Sequence, residues 1–240
     1  PENLTLLSKA VIKHKADLGI SVDPDSDRLV IIMENGKPYV EEYTVVTVIR
    51  NVLKNSSKVN KKVAVNMSTT RAVEDVAADF GAKVFRSAVG EINVVNEMKL
   101  NGAIAGGEGS GGIIVPAVHY GRDAVAGICI VLNELSDFRG TVSEYKKTLP
   151  EYHIVKNKIE VSSPPDKIFS LITQNFSAKY KNAECKVNII DGLKLDFPDY
   201  WIHLRKSNTE PIIRIITEAK TKAKAEILQK NFIAEVKKML

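Results

Sequence analysis

The chain has 240 residues and a net charge of +5. Its 44% hydrophobic and 26% charged content is that of a globular protein of one large domain or two. No apolar run approaches the ~20 residues of a membrane span and no charged-then-apolar leader is read, so no membrane partner is expected and a cytoplasmic location is. The lysines are scattered and lack interleaved aromatics, which argues against nucleic acid as a partner. Cys129 and Cys185 stand in unrelated contexts and do not suggest a disulfide scaffold or a zinc site.

In chain order, residues 5–15 read as a helix, "ADLGISV" as a buried strand, "RLVIIME" as a second strand and "NGKP" as a turn. "YTVVTVIRNVLKN" is helical. "KKVAVNM", "AKVFRS" and "AIAGG" then alternate as strands with the helices "TTRAVEDVAADFG" and "GEINVVNEMKLNG". Such alternation predicts a mostly parallel sheet. "RDAVAGICIVLNELSD" is a further helix, expected to be buried over much of its surface. Beyond residue 150 the pattern changes. A strand at "HIVKNKIEV" and a helix at "PPDKIFSLITQNF" precede four successive strands, "CKVNII", "GLKLDF", "YWIHLR" and "PIIRIITE". A run of strands predicts an antiparallel α+β unit. In the last helix, Ala225, Ile227, Leu228, Phe232, Ile233, Val236 and Leu240 recur at helical spacing as its apolar face. The expected fold class is α/β: a mixed, mostly parallel αβ domain followed by a smaller α+β domain with an antiparallel sheet.

Three loops carry candidate chemistry. In "SVDPDSDRLV", Asp23, Asp25 and Asp27 alternate, and on an extended backbone their side chains would share one side. Gathered carboxylates call for a hard dication, Mg²⁺ first, with Arg28 offsetting charge and able to grip a phosphate. An EF-hand is excluded because Arg28 stands where that loop needs glycine. A solvated acidic turn is the plain alternative. In "GGEGSGG", Glu108 could accept sugar hydroxyls and Ser110 could donate or accept, or the stretch is only a connector. In "RKSNTEP", Arg205, Ser207, Asn208 and Thr209 suit a terminal phosphate, and a polar hairpin turn would look similar. Together the loops describe a metal, a polyhydroxyl compound and a phosphate.

The combination resembles the α-D-phosphohexomutases, the phosphomannomutase/phosphoglucomutase family. "DPDSDR" is similar to its metal loop, "GGEGSGG" to its sugar loop and "RKSNTEP" to its phosphate signature; "GEINV" and "GRDA" also fall where the family has similar segments. The resemblance implies an intramolecular phosphotransferase that interconverts hexose 1-phosphate and hexose 6-phosphate through a phosphoserine and a bisphosphate. It implies Mg²⁺ on Asp23, Asp25 and Asp27, a catalytic Arg28, sugar on Glu108 and Ser110, and phosphate on Arg205, Ser207, Asn208 and Thr209. The family's T-A-S-H-N-P serine loop does not occur in the sequence, and Pro1 opens the chain. The expectation is therefore a C-terminal portion that needs an N-terminal phosphoserine domain as partner and is inactive alone. Its parts would be residues 1–38 (partial second domain with the metal loop), 39–150 (sugar-binding) and 151–240 (phosphate-binding). Many relatives end the sugar loop in histidine; here Gly112 stands there, and His119 reads as structural. Asn208 leans towards mannose or glucose phosphates. A standalone sugar-phosphate binding module is the alternative.

Overall fold

The computed structural model describes residues 4–160, 165–180, 184–207 and 210–239. The chain divides into two compact units, Pro1–Pro150 and Glu151–Leu240.

In the first unit, α1 (Thr5–His14) packs on an antiparallel hairpin of β1 (Leu18–Val22) and β2 (Leu29–Met33). The long α2 (Glu41–Asn55) follows. Then come β3 (Lys62–Asn66), α3 (Ala72–Asp79), β4 (Lys83–Ser87), α4 (Glu91–Asn101), β5 (Ala105–Glu108) and β6 (Gly112–Ile114). These strands form one sheet in the order β4-β3-β5-β6. The first three are parallel and β6 runs antiparallel to β5. In β3, "KVAVN", four of five residues are buried, as a strand covered on both faces requires. Ala64 meets Val94, Val95 and Met98 of α4, while α2 packs against β5, β6, α3 and α5 (Ala124–Ser136). The unit closes with α6 (Val142–Lys146), a single turn held by a capping box between Thr141 and Glu144.

Two features go beyond or against the sequence reading. The glycine-rich stretch, read as a loop after a strand, forms a β5–β6 hairpin in which the Gly111 N–H donates to the Glu108 carbonyl at 3.1 Å. In α5 only one stripe, Ala124, Gly127, Val131 and Glu134, is buried, and Val125 and Leu132 face solvent.

The second unit is an antiparallel sheet in the order β7-β11-β10-β9-β8. Its strands are β7 (His153–Glu160), β8 (Lys186–Asn188), β9 (Leu193–Asp196), β10 (Tyr200–Lys206) and β11 (Ile212–Ala219). Alternate residues Leu193 and Leu195, Ile202 and Leu204, and Ile213 and Ile215 pack with Ile172 and Phe176 of α7 (Pro165–Tyr180) and with Phe232 and Val236 of α8 (Lys222–Lys237). Phe176 and Phe232 stack with centroids 4.3 Å apart. The apolar face expected for α8 needs revision. Ile227 is 60% exposed, and Gln229 is buried instead. Its amide reaches the Val155 carbonyl at 2.9 Å, so a polar side chain serves a strand backbone from within the packed face.

Candidate functional site

The aspartate loop is a turn, which corrects the extended geometry expected for it. Asp23 Oδ1 accepts the N–H groups of Asp27 and Arg28, both at 3.1 Å, and Ser26 takes a left-handed φ of 58°. A short carboxylate capturing N–H groups of its own loop competes with an extended strand and wins here. Asp25 is consequently solvent-exposed while Asp23 and Asp27 are half-buried. Among the described residues no set of three His, Cys, Asp or Glu side chains is arranged to hold a metal.

Two observations nevertheless fit a hard cation beside Asp23 and Asp27. Asp27 Oδ1 is buried and accepts no hydrogen bond. Burial, then the adjoining Asp23 carboxyl, pushes the Asp27 carboxyl above the usual range. Burial acts in the same direction on Asp23, but the Arg28 guanidinium and the two loop N–H groups outweigh it and hold Asp23 well below that range. Arg28 Nε lies 2.5 Å from Asp23 Oδ2 and 3.7 Å from Asp27 Oδ1, and its side chain is 48% exposed.

Glu108, at the end of β5, is buried, and its carboxylate is already engaged. Oε1 accepts from the Asn66 amide and the Gly90 N–H, each at 2.9 Å, and Oε2 lies 3.0 Å from Arg122 Nη1. Ser110 is exposed at the hairpin tip. The hairpin is packed tightly from below. A Cβ on Gly109 would stand 2.1 Å from Glu42 Oε2, and that same oxygen accepts the Thr70 N–H at 3.0 Å. The Gly109 N–H donates to Thr69 Oγ1 at 3.0 Å.

The aspartate and glycine-rich loops meet. The Leu29 N–H donates to the Gly111 carbonyl at 3.1 Å, and the Ala124 N–H to the Ser26 carbonyl at 3.2 Å. Arg122, just before α5, ties them by side chain. Its Nη2 is 2.5 Å from Asp27 Oδ2 and its Nη1 3.0 Å from Glu108 Oε2. Its Nε is 3.3 Å from Glu91 Oε2, an ion pair without hydrogen-bond alignment. Four carboxylates (Asp23, Asp27, Glu91, Glu108) thus contact two guanidiniums, Arg28 and Arg122, and the surplus negative charge suits a dication. Arg122, Glu91, Asn66 and Glu42 were not singled out in the sequence. The segments "GEINV" and "GRDA", noted only for their resemblance, were the available signal for Glu91 and Arg122. His119 pairs with Asp123, the N-cap of α5, at 3.0 Å.

The phosphate-type loop belongs to the second unit. Arg205, near the end of β10, has Nε 2.7 Å from Asp191 Oδ2, again an ion pair without hydrogen-bond alignment. On the same face of β10, buried His203 lies 2.6 Å from the Asp191 carbonyl through Nε2. Burial pushes its pKa down to about 4, so Arg205 and not His203 supplies positive charge there near neutral pH. Ser207 is buried, and its N–H donates to the Ile212 carbonyl at 3.0 Å. Asn208 and Thr209 lie outside the described residues. No described helix is long and apolar enough to cross a membrane.

Comparison with known proteins places the chain in a family. Residues 1–36 match phosphoglucomutase/phosphomannomutase alpha/beta/alpha domain II, residues 41–152 match domain III, and residues 159–235 match the C-terminal domain. The probable phosphoglucosamine mutase of Methanopyrus kandleri is 31% identical over 238 residues, covering 99% of this chain and 52% of that protein. Its counterpart from Pyrococcus horikoshii is 34% identical over 236 residues, covering 96% of this chain and 50% of that protein. The chain thus spans about half the length of these curated relatives. A crystal structure of a phosphoglucomutase/phosphomannomutase family protein from Burkholderia thailandensis superposes with a TM-score of 0.83 at 22% identity, over 100% of this chain and 50% of that one. With all three domain signatures in order along it, the chain belongs to the α-D-phosphohexomutase family.

Proposed function

We propose that this chain supplies the metal, sugar and phosphate loops of an enzyme that interconverts hexose 1-phosphate and hexose 6-phosphate. The phosphoserine that donates and recovers the phosphoryl group would come from a domain outside these 240 residues. One observation carries the reading: Arg122 joins Asp27 of the metal-type loop to Glu108 of the sugar-type loop. Asp23 and Asp27, with Asp25 on the same loop, would hold Mg²⁺, which when bound would supply charge neutralisation for a transferred phosphoryl group. Arg28, with its exposed guanidinium, would contact that group. Glu108 retains one acceptor lone pair, on Oε2, for a sugar hydroxyl. Ser110, at the tip, would contact another. Arg205, with Ser207, Asn208 and Thr209, would hold the phosphate that is not moving. A cytoplasmic setting is part of the proposal.

Substrate identity divides into two readings. Asn208 favours mannose or glucose phosphates, while the names of the Methanopyrus and Pyrococcus relatives favour glucosamine phosphate. Turnover measured on glucose, mannose and glucosamine 1-phosphates, with the chain joined to a serine-bearing partner domain and Mg²⁺ present, separates them. Conversion of at least one is expected, and conversion of none overturns the mutase reading. Micromolar binding of glucose 1-phosphate by these 240 residues alone would favour a non-catalytic binding module instead.

In the joined protein, Arg205→Ala should weaken phosphosugar affinity by about 1.5–3 kcal/mol, the loss of one charged hydrogen bond. Calorimetry showing unchanged affinity would remove Arg205 from the site.

A further inference from the structure

The path of the Arg122 side chain depends on one residue of the hairpin. A Cβ built on Gly112 would stand 2.3 Å from Arg122 Cδ and 3.1 Å from Cγ. Gly112 is absent from the glycines with positive φ, so the backbone itself would accept alanine. Only the arginine stem forbids it. Gly112 also pairs with Glu108 across the hairpin and bridges to Arg28. The glycine therefore opens a passage between the two loops, and the guanidinium that passes through it contacts a carboxylate of each, Asp27 and Glu108, plus Glu91.

An arginine fork fixes direction as well as charge. Asp27 and Glu108 sit on opposite ends of this fork, so a shift of one loop is felt by the other. We propose that Arg122, admitted by Gly112, is a positioning residue that couples dication binding at the aspartate loop to hydroxyl binding at Glu108. The proposal rests on the mutase reading for the identity of the two ligands. The contact between residues 112 and 122 stands on geometry alone.

Four proteins test it, each joined to the serine-bearing partner domain: the unmodified chain, Gly112→Ala, Arg122→Ala and the double variant, compared by denaturation midpoint and by Mg²⁺ titration with and without glucose 1-phosphate. Gly112→Ala should destabilise the unmodified chain and be close to neutral once Arg122 is alanine, because the colliding stem is gone. Glucose 1-phosphate should raise Mg²⁺ affinity about 5-fold or more in the unmodified chain and leave it unchanged in Arg122→Ala. Arg122→Lys, which keeps the charge but not the fork, should retain Mg²⁺ binding and lose most of that coupling, an outcome a purely structural role would not produce. Additive stability effects in the cycle overturn the Gly112–Arg122 pairing. Full coupling in Arg122→Ala overturns the positioning role. Absence of any glucose 1-phosphate effect in the unmodified chain, alongside a non-additive cycle, overturns the ligand assignment and with it the coupling, while the residue pair remains.

Discussion

Arg86→Met should destabilise the first unit by about 3 kcal/mol, the largest single-site loss expected near the site. Arg86 lies on β4 with its side chain 15% exposed. Nη1 donates to the carbonyls of Asn66 at 2.8 Å and Thr69 at 2.6 Å, and Nη2 to that of Thr70 at 3.2 Å. Nε and Nη2 also take both oxygens of Glu74, at 2.8 and 2.6 Å. Methionine keeps an apolar stem but leaves the three carbonyls without this donor. The Glu74 pair adds less, because that carboxylate is 38% exposed and screened. Glu74→Gln therefore serves as the control, with an expected loss under about 1 kcal/mol. Equal denaturation midpoints for the two variants would mean that the carbonyl bonds carry no net stability.

The consequence reaches the site. The 66–70 loop that Arg86 pins supplies the Asn66 amide to Glu108 and the Thr69 hydroxyl to the Gly109 N–H. Slack in this loop would loosen the glycine-rich hairpin, so Arg86→Met should also reduce sugar-phosphate affinity in a protein that still folds.

Local elements and residue types were legible in the sequence, and their tertiary partners were not. The alternating strands and helices before residue 150, and the run of strands after it, are written in periodicity and turn residues, and the sheets follow from them. The three loops are likewise contiguous strings. What was misread depends on competition within a loop or on contacts distant in sequence. Asp23 could have stood in line with Asp25 and Asp27, but its own loop offered two N–H groups at 3.1 Å. Ile227 was placed on the apolar face by its residue type, but the helical row Ala225, Gln229, Phe232, Val236 is the buried one, and carbonyls of β7 and β11 satisfy the glutamine amide there. Glu42 lies just before the helix read from the sequence; it stands in the first turn of α2, and only tertiary packing puts it beneath Gly109. Arg122 meets Asp27 from 95 positions further along the chain, a pairing no local pattern encodes.

His203 gives the second unit a pH dependence that can be assigned to one residue. Its folded pKa is about 4 against the usual 6.5, mainly through burial, with Lys194 and Arg205 also disfavouring the charged ring and the Asp191 carbonyl and carboxylate opposing them. A base depressed on folding binds its proton more readily in the unfolded chain. The stability it contributes is therefore complete above pH 6.5 and is lost as pH falls towards 4. The loss over that window should approach about 3 kcal/mol, since each unit is worth roughly 1.4 kcal/mol. Carboxylates titrate in part of the same range, so the quantity to measure is the difference from His203→Gln, whose amide can still donate to the Asp191 carbonyl but does not titrate. Chemical denaturation at a series of pH values should show the two proteins converging as acid is added, with the unmodified chain holding its advantage only near neutrality. Parallel curves from pH 6.5 to 4 would mean that the buried ring is not held neutral by its surroundings.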